Sequence, residues 1–182
     1  MLTRACVALA AAFLVAVVPA PRQIDVAKSS AHFSVAHIWV ERVTGTVPIL
    51  SGSVVFDAGS VIPQSATAVL DATDLHTDDP DRDASLKSPD FFDVTKFPHW
   101  TFVSTRVVPK RADSFELDGT LTIHGVTQPE QLDVTVTGTP LNLEYRARAT
   151  IDRHAFGMAK TRLDPTIGNT VSVSLDIVLS PG

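Results

Sequence analysis

Cysteine is nearly absent: one of the 182 residues is a cysteine, at position 6. That count excludes an intrachain disulfide framework and a cysteine-rich zinc site. Basic residues are in deficit, 15 Lys and Arg against 20 Asp and Glu, for a net charge of −5. Nucleic-acid affinity comes mostly from neutralising phosphates, so the deficit argues against a nucleic-acid partner. The chain lacks an HExxH pair, a Gly-x-Ser-x-Gly elbow and any cofactor fingerprint, so no metal and no cofactor is expected. Internal repeats, low-complexity tracts and domain linkers are missing too. What is there is ordinary globular composition, 45% hydrophobic and 19% charged, at a length that suits one domain.

The first twenty residues stand apart. Arg4 is followed by the apolar run ACVALAAAFLVAVVPAP, which ends before Arg22. A basic start and a short apolar run describe a secretory signal peptide over 1–20, with Val18-Pro19-Ala20 as the small-residue cleavage site. Pro21 after that site weighs against cleavage, so an uncleaved anchor is the alternative. The run falls short of the about 20 apolar residues of a membrane span. Residues 21–182 are then expected to form one exported domain, periplasmic or secreted from a bacterium.

That domain reads as antiparallel sheet, because apolar and polar residues alternate with period two. Phe115, Leu117, Gly119, Leu121 and Ile123 share one face, with Glu116, Asp118, Thr120 and Thr122 opposite. Leu132, Val134 and Val136 alternate in the same way over 131–137. Leu141, Leu143, Tyr145, Ala147, Ala149 and Ile151 do so over 141–152, and Val171, Val173, Leu175, Ile177 and Leu179 over 171–180. Residues 30–39 alternate Phe33, Val35, His37 and Trp39 against Ser34 and Ala36. Residues 43–57 carry Gly45, Pro48 and Gly52 and so should bend. Segments 65–75 and 97–108, the latter carrying Phe102, complete eight strands. Turn residues separate them, among them His124-Gly125, Gly138-Thr139-Pro140 and Ile167-Gly168-Asn169.

Eight such strands split into a sandwich or close into a barrel, and closure removes exposed edges. Small inward residues, Gly119, Ala147 and Ala149, either leave room for a ligand or allow tight coiling; the pattern leaves both open. Residues 76–96 break the alternation. Asp79 or Asp81 should cap a short helix over about 82–88, ended by Pro89, with Phe91 and Phe92 folded back as an apolar plug.

Five segments, in order, resemble the YceI-like family. They are Ile24-Asp25 with FSVAH ending at His37; VTGTVPILSGSVVFD; DRDASLKSPDFFDVTKFPHWTFVST; LDGTLTIHGVTQPEQLDV; and IDRHAFGM. They span about residues 24 to 179. The resemblance implies an all-β fold, an eight-stranded antiparallel lipocalin-like barrel with one short helix. It implies binding of a long amphiphile with an apolar tail, an isoprenoid lipid or quinone, and export.

Individual residues are then sorted by face. The apolar lining is expected to be Phe33, Val35, Phe102, Phe115, Leu117, Leu121, Leu143, Tyr145, Ala147, Ala149 and Val173. His37 on the inner face would make a structural hydrogen bond or touch a head group, the former being favoured. Arg82 and Arg153 fall at the barrel rims, as anion contacts or as loop tethers. The neighbours Arg82 with Asp83, Arg153 with Asp152 and Arg146 with Glu144 read as ion pairs. Asp79, Asp81, Asp83 and Asp90 imitate a calcium loop, but Ala84 stands where its turn glycine belongs.

Three functions compete. The first is an exported binding protein for a hydrophobic small molecule, with transient membrane contact and dimerisation left open. The second is a barrel with a filled core that serves as a structural or interaction module. The weakest is a lipid enzyme using His37 or His154 as base, for which no nucleophile is paired with either histidine. The expectation is a binding protein and not an enzyme.

Overall fold

The structure, a computed structural model, describes residues 21–37, 41–139, 141–158 and 164–181. The expected leader over 1–20, Trp39 and Pro140 lie outside them. Ten strand segments make one antiparallel sheet: β1 (Arg22–Gln23), β2 (Ser30–His37), β3 (Glu41–Thr46), β4 (Ile49–Phe56), β5 (Pro63–Asp71), β6 (His99–Arg111), β7 (Ser114–Ile123), β8 (Val126–Val136), β9 (Glu144–Asp152) and β10 (Ile167–Val178). The order across the sheet is β1-β4-β5-β6-β7-β8-β9-β10-β2-β3.

The sheet closes on itself. β3 and β4 are the two halves of the expected 43–57 strand, broken at Val47-Pro48 because proline has no N–H to extend a ladder. One half lies beside β2 at one end of the order and the other beside β5 and β1 at the opposite end. Ile24, just after β1, bridges Leu179, just after β10. Ser180 N donates to Gln23 O at 2.9 Å and Asp25 N to Val178 O at 2.8 Å, while Arg22 Nη2 holds Ser180 O at 2.8 Å. With β1–β2 and β3–β4 each taken as one interrupted strand, ten segments reduce to the expected eight.

The alternation sets the inside and the outside. Phe115, Leu117, Ile123, Leu132, Val134, Tyr145, Ala147 and Ile151 are all buried. Several boundaries differ from expectation, and β10 already starts at Ile167, so that Ile167-Gly168-Asn169, expected as a turn, opens the strand. Leu141 belongs to the turn before β9 and is 85% exposed, so it does not extend the inner face. The tail of 65–75 is a 3-10 turn over Ala72–Asp74, capped by the Asp71 carboxylate. β8 begins at Val126, not 131, so its first half is Val126-Thr127-Gln128-Pro129-Glu130, a stretch without apolar alternation.

β7 and β8 meet in a two-residue turn at His124 (φ 52°) and Gly125 (φ 71°), the left-handed pair that matches the twist of a hairpin. Helix α1 spans Pro80–Lys87. Asp79 Oδ1 accepts from the amides of Asp81 and Arg82 at 3.1 and 3.0 Å, and Pro80 takes the first helical position, where a missing N–H costs nothing. Ser88 turns extended ahead of Pro89 and ends the helix.

Candidate functional site

The barrel is hollow at one end and packed at the other. The packed end is closed by Tyr145 between two phenylalanines, Phe56 at 6.5 Å and Phe115 at 6.2 Å between ring centroids. The Tyr145 hydroxyl donates to Val61 O at 2.9 Å, and burial pushes its pKa up, so it stays a neutral donor. Leu143, 3% exposed, belongs to this plug. The other end is covered by α1 with Phe91 and Phe92.

Between the two ends lie three cavities in series. The mouth cavity measures about 470 Å³ and runs from Val35, His37 and Val43 to Phe33, Trp100, Ile151 and Val173, with Leu86, Phe91 and Phe92 as its lid. A middle cavity of about 120 Å³ shares Phe33, Trp100, Ile123, Ile151 and Val173 with it. A deep cavity of about 80 Å³ shares Ala68, Phe102, Leu132 and Leu175 with the middle one. The shared walls line the three up along the barrel interior as an apolar tunnel of cavities, each smaller than the one before.

The small inward residues do different things. Ala149 borders the middle cavity and Ala147 the deep one. The space over Gly119 is taken by the Phe102 ring, against which a Cβ there would collide. Of the expected apolar lining, Phe33, Val35, Phe102, Phe115, Leu117, Leu121, Tyr145, Ala147, Ala149 and Val173 border one cavity or another; Leu143 borders none. The expectation omitted Trp100, Leu132, Ile151 and Leu175. Three of these sit in the alternation already read from the sequence, and extending the face along each strand would have found them. Trp100 is 8% exposed, and its Nε1–H has no acceptor among the described residues.

The polar residues of the mouth are mostly committed to the fold. Arg153, 5% exposed, donates from Nε to Gly168 O at 3.0 Å, from Nη2 to Ile167 O at 2.9 Å and from Nη1 to Met158 O. Arg82 donates from Nε to Thr77 Oγ1 at 2.9 Å and from Nη2 to Thr77 O at 2.7 Å. Both arginines line the mouth, but as loop tethers. The expected local ion pairs are not formed: Arg82 faces Asp79 at 3.5 Å, Arg146 pairs with Asp176 at 3.0 Å, and Arg153 binds backbone carbonyls. His37 is half-buried in the mouth wall, and its ring makes no hydrogen bond with any described residue.

A short polar network docks α1. His76 Nδ1 lies 2.9 Å from Asp83 Oδ2 and Nε2 lies 2.9 Å from Asp78 Oδ1. Thr77 Oγ1 also donates to Asp83. The Asp83 hydrogen bond raises the His76 pKa, with burial opposing and Asp78 adding. Burial pushes Asp83 up, but the bonds from Thr77 and His76 outweigh it and hold the carboxyl below its ordinary value. His76 also exchanges backbone hydrogen bonds with Thr46 at 2.8 and 3.0 Å, so the network ties the helix to β3. No group of three or more His, Cys, Asp or Glu residues placed to hold a metal occurs among the described residues.

Fold and interior define a class: an antiparallel barrel with an apolar tunnel, plugged by aromatics at one end and covered by one helix at the other. The YceI-like domain model matches residues 23–179, and the chain belongs to that family. A UPF0312 protein of Vibrio parahaemolyticus is 33% identical over 112 residues, 62% of this chain and 59% of the relative. Protein YceI of Shigella flexneri is 32% identical over 107 residues, 59% of this chain and 56% of the relative. The matches thus span less than two thirds of those relatives. BcnA of Burkholderia cenocepacia superposes with a TM-score of 0.78 at 23% identity, covering 86% of this chain and 99% of that one. A polyisoprenoid binding domain from Saccharophagus degradans, implicated in plant cell wall breakdown, superposes at 0.67 with 16% identity, over 88% and 98% of the two chains.

Proposed function

We propose that the protein is an exported binding protein that holds the apolar chain of an isoprenoid lipid or quinone-type amphiphile in its barrel. The observation that carries this reading is the tunnel. Its mouth cavity alone, about 470 Å³, falls within the roughly 300–1,000 Å³ of small-molecule sites. Its walls are side chains that gain by meeting an apolar chain, at about 25 cal/mol per Å² removed from water. A narrowing tunnel suits a long unbranched or methyl-branched chain better than a compact molecule. The Saccharophagus domain of the same fold is described as polyisoprenoid binding, which supports the same ligand class. Export rests on the sequence of residues 1–20.

The test is titration with geranylgeraniol and a prenyl quinone, read by fluorescence of Trp100 in the tunnel wall. Saturable binding to the wild type is expected, weakened about tenfold or more by Val173→Trp, which fills the join between mouth and middle cavities. A folded wild type that binds neither ligand would favour the filled module instead.

A further inference from the structure

The barrel wall has a gap. β8 and β9 pair at four positions only, from Asp133↔Arg148 to Val136↔Tyr145. Their other neighbours are paired far longer, ten positions for β7–β8 and nine for β9–β10. Both strands run on past Asp133, back to Val126 and forward to Asp152, without pairing. Continued register would set Leu132 against Ala149 and Glu130 against Ile151; neither pair forms. Pro129 removes a donor from this stretch. The far end is closed again where Gln128 Nε2 donates to Ala155 O at 2.8 Å. The slot between covers residues 129–132, about 13 Å of strand.

Glu130 stands in this slot. The less exposed residues of β8 are Val126, Gln128, Glu130, Leu132, Val134 and Val136, which places Glu130 on the inner face. Glu130 and Ala149 border the middle cavity on the inside. The same two residues border an open groove of about 610 Å³ on the outside, together with Asp118, Gln131, Asp133 and Arg148. The inner and the outer space are thus separated only by the unpaired wall at Glu130 and Ala149. The Glu130 carboxyl group forms no hydrogen bond or ion pair with any described residue, and partial burial with Asp152 nearby raises its pKa. An ionised carboxylate only accepts hydrogen bonds, and a half-buried one without a donor is unfavourable.

We propose that the β8–β9 slot is a second opening of the tunnel and a head-group site, where Glu130 accepts a hydrogen bond from the amine or hydroxyl end of an amphiphile whose chain lies in the barrel. The proposal rests on the lipid-binding reading above and specifies the end group. The groove sets Asp118, Glu130 and Asp133 against one cation, Arg148, and Asp118 is already held by Arg106 at 2.7 Å and Gln131 at 2.9 Å. Such a site repels carboxylate and phosphate ends. The two arginines of the mouth are already engaged, Arg153 by backbone carbonyls and Arg82 by Thr77 and Asp79.

The experiment is calorimetric titration of the full chain and of Glu130→Gln with geranylgeraniol, geranylgeranylamine and geranylgeranoic acid at neutral pH. The amine should bind the wild type about tenfold or more tighter than the acid, and Glu130→Gln should erase that preference while keeping the alcohol bound. A spin-labelled amine should broaden the amide resonances of Gln131 and Thr150 before those of Ser85 and Ile167. Equal binding of amine and acid, no effect of Glu130→Gln, or broadening first at Ser85 would overturn the slot while the lipid-binding reading stands. Failure of all three ligands to bind would remove both.

Discussion

Arg153 shows how a single residue is read differently by sequence and by structure. Next to Asp152 it looks like half of an ion pair. In the fold it is buried and satisfies three backbone carbonyls from two segments, at Met158, Ile167 and Gly168. Pair spacing could not reveal this, because those acceptors are backbone and carry no residue identity. Arg153→Met should destabilise the protein by about 3 kcal/mol in urea unfolding, since it strands several carbonyls. Arg153→Lys should recover only part, because an ammonium cannot span the same fork. Gly119 is the converse case: alternation placed it on the inner face, but not the ring that covers it. Gly119→Ala should cost about 1–3 kcal/mol through clashes with the Phe102 ring and with Val103 O, and Phe102→Leu should relieve only the first of these.

Among the elements, the strands and α1 were legible because period two and the Asp79 cap are local signals. The first half of β8 was not. Gln128, Pro129 and Glu130 lack the apolar inner face that marks a strand, and the structure shows why: there the strand borders a slot instead of a continuous ladder. The docking of α1 through His76 and Asp83 was also hidden, since the expected partner of Asp83 was Arg82. This docking depends on pH. His76 is raised by its carboxylate partners, so its contribution is complete below the ordinary imidazole pKa and fades as pH rises through the raised one. Asp83 is lowered, so its contribution holds above the ordinary carboxylate pKa and fades as pH falls through the lowered one. The helix is therefore tied most firmly between those two limits. Amide exchange in 80–87, corrected for intrinsic rates, should accelerate as pH climbs through the His76 titration. In His76→Ala that pH dependence should vanish; an unchanged profile would mean the network does not hold the helix.

At the scale of the whole molecule, closure came from the sequence as a preference for a barrel, and the structure supplies its means. A proline-broken strand places β3 at one end of the sheet order and β4, next to the terminal β1, at the other, and Ile24 after β1 bridges Leu179 after β10. Whether the barrel was hollow was not legible, because a small inward residue can face a void or a neighbouring ring. Both occur here, Ala149 beside the middle cavity and Gly119 beneath Phe102. Ala149→Phe should fill the middle cavity of about 120 Å³ and weaken prenyl-lipid binding about tenfold. Thermal melting should show the variant still folded, with an overpacking cost of about 1–3 kcal/mol at most. Unchanged affinity in the folded variant would confine the ligand to the mouth.

The tunnel matters only if something occupies it. Mass spectrometry of the gently purified protein, first native and then denatured and extracted into organic solvent, tests that most directly. The expected result is a co-purifying amphiphile with a long apolar chain, near one per protein, released on denaturation. An empty protein that also refuses geranylgeraniol and prenyl quinones in titration would contradict lipid binding and leave a barrel whose interior serves only its own stability.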